Sequence, residues 1–173
     1  MSISLHTLSV GRYLQTLGAL QGVLKKGRDH CQANAIDPDS LMGERLCGDM
    51  LPLSFQLVSA AHHSIGAIDA ARSGQSGPPP GPMPETYAAG EALIADAIAR
   101  LKALTPEEVD ALEGGTVVFN LGQTRLPFSA EGYILSFSLP NFFFHASTAY
   151  GILRMKGVPL GKRDFMGAMM LKM

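Results

Sequence analysis

Apolar residues recur every three or four positions through most of the chain, and the breaks in that rhythm divide it into helices. Val10, Leu14, Leu17, Leu20 and Leu24 form one apolar stripe, predicting a helix over residues 5–33. Lys25, Lys26 and Arg28 lie toward its C-terminal end, where cations complement the helix dipole. The segment AIDPDS ends it, because Pro38 cannot continue the hydrogen-bond ladder. In the second helix Asp49 is the expected N-cap and Pro52 lies in the first turn, where proline is tolerated. Leu53, Leu57, Ala60, Ser64, Ile68 and Ala71 give it a face of mostly small residues, which lets a neighbouring helix approach closely.

Residues 73–84, SGQSGPPPGPMP, carry no charge and five prolines, so a flexible loop is expected there rather than a domain boundary. A third helix is predicted over 85–104 from Leu93, Ile94, Ala97, Ile98 and Leu101. TPEEVDAL opens with a threonine cap and a proline at the first helical position, predicting one more short helix. The period then changes to strand-like: TVVFN and TRLPF flank LGQ, a hairpin signature with Gly122 in the turn. The fourth long helix is predicted over 129–156, kinked or broken at Pro140 and ended by Gly157. The tail is too apolar at Phe165, Met166, Met169 and Met170 to float free, and is expected to pack on the bundle or on a second subunit. The fold class is therefore mainly α: an antiparallel four-helix bundle with a small β-hairpin before the last helix, forming one domain over residues 1–173.

Composition narrows the functions such a bundle can have. The 173 residues are 46% hydrophobic and 17% charged, which is globular, and the formal net charge of -1 offers no basic field for a phosphate backbone. Nucleic acid is not an expected partner. Residues 133–153 carry no formal charge and are long enough to raise the membrane question. Ser136, Ser138, Pro140, Asn141, His145, Ser147 and Thr148 would put too many polar groups in lipid, so a buried helix is expected instead. Cys31 and Cys47 form no CxxC pair and have no zinc-finger spacing, and the N-terminal MSISLHTLSVGRY lacks a basic leader. Two reduced thiols in a cytoplasmic protein are expected.

Candidate chemistry gathers on the second and fourth helices. Asn141 and His145 stand four residues apart and so share one helix face, continued by Thr148 and Ile152. Two histidines at that spacing hold a metal between helices. Asn141 is a poorer ligand, so on spacing alone a hydrogen-bonded polar patch outweighs a metal site. His62 and His63 diverge by about 100° and cannot easily chelate one ion. One is expected to face solvent and the other to pack at a helix contact. His63 follows Gln56 by seven residues, on the same side and roughly 10 Å further along the axis. There is no GxSxG elbow, P-loop or GxGxxG, and Cys47 has no basic partner near it in sequence.

The segments YLQTLGAL, RLCGDMLPLSFQ and LPNFFFHASTAYGILRMKGVPLGKRDF resemble a bacterial and fungal family of unknown function with PNFxFH and GVxLGKRDF motifs. That family lies within the DinB/YfiT-like superfamily, and the resemblance covers nearly the whole chain. It implies a DinB-like four-helix bundle, often dimeric. Better-known relatives hold nickel or zinc with three histidines, one from the second helix and two from an HxxxH on the fourth, and some use the metal to activate a low-molecular-weight thiol. Carried over by position, these ligands fall on Gln56, Asn141 and His145, so only one of the three is a histidine here. Relatives are also expected to carry an acidic residue where this chain has His62.

Two functions follow from that resemblance. One is a metal-free, dimer-forming module that binds a small molecule or a partner, with Gln56, Asn141, His145 and Tyr150 as ligand-binding candidates and no cofactor. The other is a metal- or histidine-dependent enzyme, a thiol-dependent transferase or hydrolase. In it His145 is catalytic, a nickel or zinc ion has Gln56, Asn141 and His145 as candidate ligands, and the imidazole titrates near neutrality.

Overall fold

The computed structural model describes residues 3–169 and residue 171. Met170, counted above with the apolar tail, lies outside the described residues.

The predicted first helix is two helices, α1 (Leu5–Leu8) and α2 (Val10–Ala33). The break falls at Ser9, whose buried hydroxyl donates to the Leu5 carbonyl at 2.6 Å. A 3-10 turn over Pro38–Gly43 follows, capped by the Asp37 side chain. The next helix, α3 (Leu53–His62), is not capped by Asp49 as expected. Pro52 is the residue immediately before it, and the free N–H of Leu53 is satisfied instead by the Glu44 carbonyl at 2.9 Å. Nor does this helix run unbroken to Ala71. It stops at His63–Ser64 and resumes as α4 (Ile65–Ser73). The Ser64 hydroxyl donates to the carbonyls of Ala60 (2.7 Å) and Ala61 (3.0 Å), a local bond that competes with the helical ladder.

Gly74, at φ 74°, takes the left-handed turn that ends α4 and leads into strand β1 (Gln75–Ser76). Next comes α5 (Tyr87–Lys102), capped by Thr86, then α6 (Pro106–Asp110), whose capping box joins Thr105 and Glu108. Strands β2 (Thr116–Leu121) and β3 (Thr124–Ser129) form the expected hairpin, in register from Thr116↔Ser129 to Leu121↔Thr124. Gly122 has φ 58° in the turn. The expected two-stranded ribbon is in fact three-stranded, because β1 pairs parallel with β2, Gln75 opposite Val118.

Helix α7 (Ala130–Gly132) passes through a π-helical turn, Tyr133–Ser138, into α8 (Leu139–Met155). The widened turn lies directly before Pro140, which has no N–H to give to the ladder, so the proline is absorbed without ending the helix. Gly157 stands at φ 90° just past the end. Last, α9 (Lys162–Met166) packs on α2. Gln15 Nε2 donates to the Met166 carbonyl at 2.9 Å, and Lys26 pairs with Asp164 at 2.7 Å. Helix α9 thus lies on α2, whereas Met166 at its end and Met169 and Leu171 beyond it are exposed.

The protein is mainly helical with one small sheet. Helix α2 packs against α5 and α8, and α3 packs against the same two, so the four long helices enclose a common core. Tyr13, Leu17, Leu57, Ile94, Phe142 and Ile152 are fully buried there. Each such side chain contributes about 1.5–3 kcal/mol relative to exposure. Tyr13 meets Phe142 edge-on at 5.0 Å. Strand β2 adds Val117 and Phe119 from its inward face, alternating with exposed or half-buried neighbours as its period requires. Among the described residues, no helix is long and apolar enough to cross a membrane.

Candidate functional site

The second turn of α3 carries Gln56, which is almost fully buried, toward α8. Its Nε2 donates to the Leu51 carbonyl at 2.8 Å. A carbonyl only accepts, so this contact fixes which way the amide points and turns Oε1 toward His145 Nδ1, also at 2.8 Å. His145 therefore carries its proton on Nδ1, and Nε2 keeps its lone pair. Two rings frame the imidazole edge-on, Phe55 at 5.7 Å and Phe144 at 5.2 Å.

His63 completes the cluster. It caps the C-terminal end of α3, seven residues after Gln56 and hence on nearly the same face. Its ring lies parallel to that of His145, within 3°, at a centroid distance of 5.9 Å. The start of α8 holds the same corner from outside, where the Ser138 hydroxyl donates to the His63 carbonyl at 2.9 Å. Yet His63 Nδ1 is buried with no hydrogen-bond partner among the described residues. The His62 ring meets that of His63 at 5.0 Å, and its Nε2 donates to the Gly77 carbonyl at 2.9 Å. His63 thus packs at a helix contact as expected, whereas His62 is drawn under the proline-rich loop rather than left in solvent.

Burial makes all three imidazoles weaker bases than usual. It pushes His145 down to about 4 from 6.5, so the sequence expectation of titration near neutrality does not hold. His63 is lowered to about 3, first by burial and then by the neighbouring His62 and His145. His62 is lowered by burial, with the Gly77 hydrogen bond opposing. At neutral pH the cluster is uncharged.

Of the sequence candidates, Gln56 and His145 are brought together. Asn141 spends its amide N–H on the Phe137 carbonyl of its own helix, at 2.7 Å. Tyr150, about 140° around α8 from His145, meets Phe165 of α9 edge-on at 5.9 Å. Sequence reasoning passed over His63 as part of this site. Its seven-residue offset from Gln56 was the available signal, but that offset alone does not show that a ring from α8 comes to lie against it.

The donor set does not fit the three-histidine metal of the better-known relatives. Gln56 Oε1 is engaged by the His145 N–H, and Asn141, which gives its N–H to backbone, offers only a neutral amide oxygen, a weak ligand for nickel or zinc. Among the described residues, no three His, Cys, Asp or Glu side chains are grouped so as to hold an ion. On the α5-facing side of α3 and α4, a separate groove of about 570 Å³ opens beneath the proline-rich loop. His62 lines it, but Gln56, Asn141, His145 and Tyr150 do not.

The fold defines the class of the protein. The chain is similar to a DinB family member protein from Shewanella denitrificans, with a TM-score of 0.80 and 24% identity over 98% of this chain and 95% of that one. At that identity the likeness shows the fold alone, which is DinB-like. More particularly, residues 5–166 match the model of a domain of unknown function, DUF1993, and the chain belongs to that family. A search among curated proteins gives no match.

Proposed function

We propose that this protein is a metal-independent small-molecule-binding module on an antiparallel DinB-like four-helix bundle, with His145 as its polar recognition point. The observation that carries this reading is the tautomer fixed by Gln56. A neutral imidazole held with Nδ1 as donor offers Nε2 as an acceptor, and the surrounding rings suit an apolar or aromatic ligand bearing one hydrogen-bond donor. Exposed Phe143 and Phe144 on α8, with Leu51 before α3, supply apolar surface for entry and for the self-association proposed with it. Two unpaired cysteines suit the reducing cytoplasm proposed as its location.

Phenol, an aromatic ring with one O–H, is a suitable probe. Binding should shift the His145 side-chain nitrogen resonances, and His145→Phe should abolish it. No shift with phenol at millimolar concentration, or stoichiometric zinc or nickel retained through equilibrium dialysis, would overturn the proposal. Sedimentation equilibrium tests the dimer separately.

The same fixed tautomer favours a second reading, a histidine-dependent enzyme with His145 as general base. Its basicity argues against this, since a base at about 4 is far from the neutral value that proton abstraction favours. Turnover of thiol or ester substrates, lost in His145→Ala, would establish the enzyme instead.

A further inference from the structure

The groove beneath the proline-rich loop has a chemistry of its own, independent of the His145 site. One wall is α3 and α4, with Val58 and Ile65; the other is α5, with Leu93; Met83 of the loop closes one side. At about 570 Å³ it falls within the range of pockets that hold small ligands, about 300–1,000 Å³. Its charges do not cancel. Asp69 accepts from Arg100 at 2.6 Å, so that pair neutralises itself across the groove. Asp96, one turn before Arg100 on α5, also lines the groove and has no hydrogen bond or ion pair among the described residues.

The remaining polar group points the same way. His62 Nε2 must carry its hydrogen, because its partner, the Gly77 carbonyl, can only accept. Nδ1 of the neutral ring is therefore a bare acceptor. It stands beside Gly66, where a Cβ would come within 3.4 Å of it, and both residues line the groove. The glycine thus leaves the approach to that nitrogen open. An apolar trough whose uncommitted side-chain polar atoms are one carboxylate and one imidazole acceptor complements an apolar body with a positively charged N–H donor. A carboxylate or phosphate ligand would meet repulsion at Asp96 and no donor at His62.

We infer that this groove binds a small amphiphile bearing an apolar chain and a single protonated amine. The probes are octylammonium, octanoate and octanol, each kept below its micellar concentration or, for octanol, its solubility limit, and titrated into the full chain with amide resonances as the readout. Octylammonium should shift Leu93, Asp96 and the 80–84 loop with one-to-one stoichiometry, octanol should bind more weakly, and octanoate should not bind. Asp96→Asn should weaken octylammonium by about two- to five-fold, the effect of an exposed charge pair. Asp96→Lys, at an exposed position where folding is not at stake, should reverse the preference toward octanoate. Equal binding of all three probes, or an unchanged preference in Asp96→Lys, would overturn the inference. Shifts confined to His145 and its neighbours would also overturn it, by assigning the amine to the other site.

Discussion

The imidazoles of His63 and His145, one at the end of α3 and the other on α8, lie parallel within 3° and 5.9 Å apart, and neither can readily accept a proton. One is tied through Nδ1 to Gln56, whereas the other has a buried Nδ1 with no partner among the described residues. That asymmetry makes the pair testable by acid. Folded values of about 4 and about 3 lie below the ordinary 6.5, so between those limits the unfolded chain binds more protons than the native one. Stability is full above about pH 6.5 and is lost as pH drops below it, both groups contributing down to about 4 and His63 alone from there to about 3, with the share of half-buried His145 reduced by solvent screening. Urea unfolding at a series of pH values should show this loss. His63→Phe should flatten it and be neutral or stabilising at pH 7, because it removes an unpaired buried nitrogen.

Gln56 sets both the tautomer and the basicity of its partner. Gln56→Glu places a carboxylate where the amide oxygen was, and an opposite charge favours the imidazolium. The His145 titration followed by NMR should move upward from about 4, past the ordinary 6.5 if the carboxylate stays ionised. Unchanged titration would mean that the two side chains do not meet.

Gln56→Leu instead leaves the His145 N–H and the Leu51 carbonyl without their partner. The expected cost is roughly 1–3 kcal/mol in chemical denaturation at neutral pH, the penalty of an unsatisfied buried group.

Helices α2 and α5 approach closely at Gly27. A methyl at Gly27 would collide with the Tyr87 hydroxyl, which donates to the Leu24 carbonyl at 2.8 Å. Gly27→Ala should therefore destabilise by about 1–3 kcal/mol. Tyr87→Phe alone should cost about 1 kcal/mol for the lost bond. The double variant should be more stable than the sum predicts, since removing the hydroxyl removes the collision. Strict additivity would place the two residues out of contact.

The Arg28–Glu91 pair spans the same two helices at the surface, at 2.6 Å. Glu91→Gln should change stability by less than about 1 kcal/mol, and the difference should vanish in high salt. The contrast with Gly27→Ala locates the strength of this contact in packing.

Periodicity and local turn and cap residues were enough to find the long helices, the hairpin and the threonine cap of α6, because each is written in neighbouring residues. Glycine at 157 marked the end of α8 for the same reason, whereas proline at 140 suggested a kink or break where the structure has a widened turn. The breaks at Ser9 and Ser64 were hidden, since serine interrupts a helix only where its hydroxyl turns back on the ladder, and the pattern of apolar residues runs straight through. Strand β1 was hidden by its length of two residues inside a segment that composition reads as linker. At the site, His145 stood out by its spacing from Asn141 in an uncharged segment, and Gln56 was found by positional likeness to relatives. His63 and the groove depend on which helices cross and where the loop closes, and no local pattern records either.

The parallel pairing of β1 with β2 also orders events in time. Gln75 meets Val118 only after the chain between them, including α5 and α6, has crossed back over the core. A contact so distant along the chain carries a large loop-closure cost and only two residues of pairing to offset it. With so little pairing to hold it, β1 should be among the first elements to release. Its amides should exchange with solvent well before those of β2, which keeps its antiparallel neighbour when β1 lets go.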